Sequence, residues 1–427
     1  MFEEKSIREL PGYDLVVAGG GSAGAAAAVA AGRRGRRVLV VEESNAIGGT
    51  STTGGVQEWF ATLDHMGDVF GDVVGRLEEA GACHGRHFNG EMLKIVWQSL
   101  LDEAGVDILF HASVVDAPVE DGTVQQAVVS SCSRRLAVSA PFFIDATGEG
   151  DLAAMAGAEF SSGDPEEGLT LHMSLTATMY DTGKPQTPWL PPGVELVRGR
   201  DELPGLGGGA RLADGRLYMN STKIMRHDPT DPVSLSAAER EARLQLAQVV
   251  HFLQSSRFPT YALASSGARI GIREGRRIHG EATVEEDDVL GRDDRHVPDS
   301  IAVATSQIDF HSLTKPGAGG WRQEVRPYAI PWGALVPKGL RNCLLAGKCI
   351  SGDQIAMSSY RMTPTCAAMG QAAGTGAALA LQSGIEDLRE IDVGELQAVL
   401  REHGLETDPA KHVPFATEQT PDRRSAR

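Results

Sequence analysis

The stretch Tyr13-Asp-Leu-Val-Val-Ala-Gly-Gly-Gly-Ser-Ala-Gly-Ala-Ala-Ala-Ala-Val-Ala-Ala, continued by Arg37-Val-Leu-Val-Val-Glu42, constrains this chain more than any other. An apolar run from Leu15 to Ala18 enters three spaced glycines. An alanine-rich segment then reaches about Gly32, and a second apolar run ends at Glu42. The pattern predicts strand, turn, helix and strand. Gly19 makes the tight turn, Gly21 lets the backbone approach a pyrophosphate, and Gly24 lets the helix pack close on the sheet. The first helical residues, Ser22 and Ala23, offer amides and a helix dipole that hold phosphate without a cation. Glu42, followed by Glu43, lies where an acid accepts hydrogen bonds from an adenosine ribose. Three glycines alone also fit an ordinary turn; the flanking strands and the acid favour a dinucleotide-binding unit.

The rest of the chain extends this unit. Ser44 to Gly55 is a turn cluster, and a Gly-Gly pair at this distance can lie along a pyrophosphate, which singles out Gly48, Gly49 and Thr50. Residues from about 66 to 105 carry helical periodicity. Val106 to Phe110 reads as a strand. Ser113-Val-Val-Asp and Val124-Gln-Gln-Ala-Val-Val, with the turn Asp121-Gly122 between them, predict a small antiparallel meander. Phe142-Phe-Ile-Asp-Ala-Thr-Gly148 is a buried strand ending in small residues. No second three-glycine unit follows, as a tightly bound nicotinamide would ordinarily require.

Composition changes near Ser161-Ser-Gly-Asp-Pro165, which predicts a domain crossing. We expect a first part over residues 1–160, an inserted part over 161–326, a return over 327–405 and a loose tail over 406–427. Within the insert, Ser234 to Gln254 is a long helix capped by Ser234 or Ser236. Ser306 to His311 is a strand with Asp309 and His311 on one face. After the return, Thr363-Pro-Thr-Cys366 opens a glycine-bearing helix with Thr363 as cap. Each glycine costs that helix about 1 kcal/mol relative to alanine, so another element must lie close against it.

Composition narrows the partners. A formal net charge of -17 disfavours nucleic acid and anionic membranes. The five cysteines are scattered without metal or dithiol spacing, so free thiols in a reducing cytoplasm and no metal site are expected. No signal-peptide core and no bilayer-length apolar run is evident. The expected partner is a small-molecule substrate.

Taken together, these residues resemble the bacterial FAD-dependent oxidoreductases of the glutathione-reductase-like superfamily, distantly similar to fumarate reductase flavoproteins. The resemblance rests on Gly19-Gly-Gly-Ser-Ala-Gly24, Asp145-Ala-Thr-Gly-Glu-Gly-Asp151, Ile272-Arg-Glu-Gly-Arg-Arg-Ile-His-Gly-Glu281, Ile308-Asp-Phe-His311, Pro327-Tyr-Ala-Ile-Pro-Trp332, Leu335-Val-Pro-Lys-Gly339 and Arg361-Met-Thr-Pro-Thr-Cys366 with the helix behind it. It implies an α/β fold: a Rossmann-like FAD-binding domain, with central parallel sheet and antiparallel meander, carrying an inserted α+β substrate domain. It further implies FAD contacts at Val114, Ala146, Thr147, Gly148, Asp151, Gly347, Cys366, Gly370 and Gln371. The sequence departs from the family at Asp353-Gln-Ile-Ala356: Gln354 stands where many relatives place a histidine near the flavin.

For the chemistry, His311 is the first choice of base, because an ordinary histidine pKa suits proton transfer at neutral pH. Asp309 would orient it. His172 is second, and Arg361 could hold an anionic substrate or the flavin; each also has a purely structural reading. The charged run from Arg273 to Glu281 reads as a salt-bridged turn, and Tyr360 as core. Cys366, at a helix start, could have a lowered pKa. These residues predict an enzyme that takes a hydride from a small polar molecule to the flavin, by alcohol or amine oxidation or carbon-carbon desaturation. Two alternatives stay open: an externally reduced flavin enzyme, or a flavin-binding subunit without chemistry.

Overall fold

The computed structural model describes residues 7–10, 12–205, 209–292, 297–315, 317 and 320–415. Five parallel strands form its centre, in the order Cys343–Leu345, Phe142–Asp145, Leu15–Ala18, Val38–Glu42 and Asp107–Phe110. Leu15 to Ala18, Val38 to Glu42 and Phe142 to Asp145 are buried along their whole length, as expected where both faces of a parallel sheet are covered. Strands in register end together, so Ala18, Val41 and Asp145 bring the loops that follow them to one edge. Ligands of open α/β sheets bind beyond that edge.

The helix Ser22–Gly32 is buried at every residue from Ala23 onward. Its alanines leave no polar face, so it must lie between layers. One covering layer is the sheet; the other is the long helix Thr363–Ser383. A Cβ at Gly370 would lie 2.0 Å from the carbonyl oxygen of Ala23, and one at Gly374 would lie 2.0 Å from that of Ala27. The glycines that weaken the long helix therefore let two helix backbones meet. Its start differs slightly from the reading above: Met362 is the cap residue, and Thr363 instead approaches Ser51 Oγ at 3.3 Å.

The meander is present as Ala112–Asp116, Ala127–Ser131 and Arg134–Val138. Asp121-Gly122 turns a small hairpin of Val119–Glu120 and Thr123–Val124. A second, separate core lies in the insert. There a four-stranded antiparallel sheet, ordered Gly209–Arg211, Leu217–Met219, Ala177–Asp181 and Tyr261–Ser266, packs with the helix Pro232–Ser255 through Met179, Met219, Ala242 and Leu246. Asp231, not a serine, caps that helix, accepting from Ser234 N at 2.7 Å.

The second core draws on residues 173–270, whereas Ile278, Val284, Ile301 and Ile308 return to the first. The chain thus re-enters the main core well before residue 326. Of the expected loose tail, residues 416–427 lie outside the described residues. Thr407, His412 and Phe415 are buried, and Phe415 N donates to Thr305 O at 3.2 Å. Apolar and ring contacts hold this polar stretch where composition alone suggested looseness. Among the described residues no helix is long and apolar enough to cross a membrane.

Candidate active site

A cavity of about 1250 Å³ opens beyond the strand ends and runs to the insert. At its outer end lies the glycine turn. Gly19 adopts φ +92°, and a Cβ there would meet Ala146 O at 2.4 Å, so both conformation and space require glycine. Gly21 differs. Its φ of −63° suits any residue, and a Cβ would meet no protein atom within 4 Å. Gly21 lines the cavity, so that space is open to a ligand. Gly48 lies directly behind, donating to Gly20 O at 2.8 Å, and a Cβ on Gly49 would be 3.0 Å from Gly21 Cα.

Glu42 closes this end. Its Oε2 accepts from Gly20 N at 2.7 Å and its Oε1 from Ser44 N at 2.8 Å. A carboxylate has about four acceptor sites, so two amides fix its orientation and leave capacity toward the cavity, which it lines. Glu43 pairs with Arg269, a residue of the insert side that sequence reading did not select. The start of the helix Thr363–Ser383 opens on the same cavity through Met362, Thr363 and Cys366.

The inner end gathers charge. His311 and Asp309 lie on the strand Ile308–His311, and His311 Nε2 is 2.9 Å from Asp309 Oδ2. Arg361 Nη2 reaches that oxygen at 3.4 Å, and Arg322 Nε reaches Oδ1 at 2.9 Å. His172 meets His311 edge to face, with ring centroids 4.4 Å apart. Arg273 Nη1 donates to His172 O at 3.1 Å and Ser174 Oγ at 2.7 Å.

Burial would raise the Asp309 carboxyl, but the hydrogen bond from His311 and the charges of Arg361 and Arg322 hold it well below the usual carboxylate range. Burial lowers His311 to about 4, against the upward pull of its hydrogen bond to Asp309. Burial, with Arg273 beside it, holds His172 far below an ordinary histidine. At neutral pH both rings are uncharged beside an ionised Asp309. An ionised carboxylate only accepts, so His311 Nε2 carries the proton and Nδ1 presents its lone pair.

The sequence matches the FAD dependent oxidoreductase family over residues 14–400. The chain belongs to that family. Its cofactor is FAD, which the open space at Gly21 and the two helix starts facing one cavity fit. No curated protein matches the sequence. Among solved structures, it resembles a geranylgeranyl bacteriochlorophyll reductase-like protein from Thermoplasma acidophilum (13% identity, 93% of this chain and 84% of that one, TM-score 0.49). It also resembles the flavin-dependent brominase Bmp2 (12% identity, 92% and 83%, TM-score 0.46). A third likeness is to the anhydrotetracycline hydroxylase OxyS from Streptomyces rimosus (14% identity, 94% and 71%, TM-score 0.46).

Of the residues expected to hold FAD, Gly19, Gly21, Ser22, Ala23, Glu42, Glu43, Gly49, Thr50, Val114, Ala146, Thr147, Gly148, Asp151, Gly347 and Cys366 line the cavity of this FAD-dependent oxidoreductase. Gly24, Gly48, Gly370 and Gln371 do not. Gly24 and Gly370 serve helix packing, and Gly48 backs the turn. Gln371 Nε2 donates to Asp68 Oδ1 at 2.9 Å. Gln354 is likewise outside the cavity: its Nε2 donates to Glu274 Oε2 at 2.8 Å and Leu169 O at 3.1 Å.

Cys366 has the opposite tendency to the one its helix position suggested. Burial pushes its thiol up to about 12, and Sγ donates to Arg361 O at 3.2 Å. All five cysteines are free thiols. Tyr360 is core, its hydroxyl donating to Ile350 O at 3.2 Å. The charged run divides: Arg277 pairs with Glu274 and Arg276 with Asp151, but Arg273 faces the cavity.

If Gly21 is small for the ligand's sake, Gly21→Ala should leave apoprotein stability unchanged while weakening FAD about tenfold or more, about 1.4 kcal/mol. Titration of the apoprotein with FAD, followed by flavin fluorescence, reads this directly. Wild-type affinity in the variant would place the pyrophosphate elsewhere.

Proposed function

We propose that this FAD-dependent oxidoreductase takes a hydride from a carbon of a small polar organic molecule, by alcohol or amine oxidation or by carbon-carbon desaturation. One observation carries the reading. His311, uncharged and held by Asp309 through Nε2, keeps the lone pair of Nδ1 and lies on the wall of the cavity that begins at the glycine turn.

FAD supplies the two-electron acceptor when bound. The chain's own residues do the rest. Hydride loss from a C–H bond leaves an O–H, N–H or neighbouring C–H proton to remove, and His311 Nδ1 takes it. Asp309 keeps the ring in the productive tautomer and balances the imidazolium that forms. His172, packed edge to face on His311, fixes the ring from the other side.

The test is an anaerobic titration of the yellow holoprotein with a panel of alcohols, amines and saturated acids, watching the flavin absorbance. At least one class should bleach the flavin without added nicotinamide. Bleaching by NADH or NADPH alone, with the whole panel silent, would reverse the direction of electron flow and end this reading.

A further inference from the structure

Most of the cations around the cavity pair with an acid. Arg86 faces Glu58 at 3.2 Å, Arg269 faces Glu43, Lys348 faces Glu149 at 2.5 Å, and Arg361 and Arg322 share Asp309. Arg273 has no such partner among the described residues. Its two hydrogen bonds, to His172 O and Ser174 Oγ, both use Nη1. Nε and Nη2 make none there, and the side chain lies on the cavity wall.

The residue is half-buried. Burial, then the neighbouring charge of Arg361, pulls it down to about 10 against the upward pull of Asp309. A partly buried cation with no ion pair of its own is costly, and an anion docked on its free edge offsets that cost. Arg273 faces the cavity in a chain of net charge -17, so a cation there is a local arrangement and no reflection of composition.

We infer that the substrate is a carboxylate anion, anchored by the free edge of Arg273. The inference rests on the hydride-transfer reading above, because it is the inner end of the cavity that must receive the reacting molecule. A planar guanidinium presents parallel N–H donors that match a carboxylate in a bidentate fork. One unpaired guanidinium calls for one negative charge. The position fits the chemistry as well: Arg273 holds the backbone of His172, and His172 touches His311. A carboxylate docked there places its neighbouring carbon beside the base.

The experiment is an equilibrium titration of the FAD-loaded protein, read by the flavin difference spectrum. The probes are lactate, succinate and benzoate, each against its amide: lactamide, succinamide and benzamide. At least one acid should saturate a spectral change, with its amide at least tenfold weaker. Arg273→Met should weaken that acid at least tenfold. Arg273→Lys should keep part of the affinity, with a smaller preference for acid over amide. FAD content of each variant is measured first, and if the methionine variant loses FAD, the acid-to-amide preference of the lysine variant decides.

Equal binding of acids and amides, unchanged binding in the variants, or no binding by any acid overturns the inference. Its fate is separable from that of the hydride reading. Acids that bind while nothing in the panel bleaches the flavin would leave the anchor standing and remove the reading. A neutral compound that bleaches the flavin through His311, with no acid binding, would do the reverse.

Discussion

A valine at Gly374 is expected to cost the apoprotein about 3 kcal/mol or more, while an alanine at Gly71 should stabilise it by about 1 kcal/mol. Both glycines lie inside helices, so propensity alone gives them the same sign. Space separates them. A Cβ at Gly374 would lie 2.0 Å from Ala27 O and 2.7 Å from Ala27 C, backbone atoms that cannot rotate away. Accommodating it means moving the helix Thr363–Ser383 off the helix Ser22–Gly32, and the starts of both helices line the cavity. At Gly71, in the helix Asp68–Glu79, a Cβ would meet nothing within 4 Å, so only the propensity gain remains. Urea unfolding of the apoproteins measures both. Equal midpoint shifts for the two variants would refute close helix contact as the reason for Gly374. A larger loss of FAD affinity at Gly374 than at Gly71 is the accompanying expectation, since the same displacement opens the cradle.

That contrast also shows what was legible. Glycines in the long helix demanded a close neighbour, because their cost needs a return, but nothing local named Ser22–Gly32 as that neighbour. The glycine turn, Glu42 and the pairing of Asp309 with His311 could be read because each depends on spacing within one or two adjacent elements. Arg273 could not. It sits in a run dense with charge, and the pairing of Gly271 with Ser174 brings it beside Ser174 on the cavity. The meeting of His172 with His311 has the same origin, two residues far apart in sequence brought together by tertiary structure. Gln354 was visible as a departure from the family, yet its partner Glu274 lies 80 residues away. Cys366 shows competition between rules: a helix start favours the thiolate, but burial outweighs it and leaves the thiol at about 12.

Replacing His311 by alanine should slow flavin bleaching by about 10² to 10⁴-fold, the usual range for losing a positioned base, with FAD content unchanged. The effect should appear in the rate of bleaching at saturating substrate, because the ring acts on the proton and leaves the cofactor cradle alone. The pH dependence is the sharper test. His311 must be uncharged to accept a proton, and its pKa is lowered to about 4 by burial. For wild type, kcat/KM should therefore stay level from about pH 8 down to about pH 5 and fall as pH drops through about 4. An ordinary histidine would already show the fall near 6.5. Asp309→Asn removes a negative charge and a hydrogen bond that both raise the His311 pKa. The acid limb should then move lower still, while the rate at neutral pH drops, since a weaker base gains less in taking the proton. A limb that moves upward in this variant, or stays in place, would show that His311 is not the group being titrated.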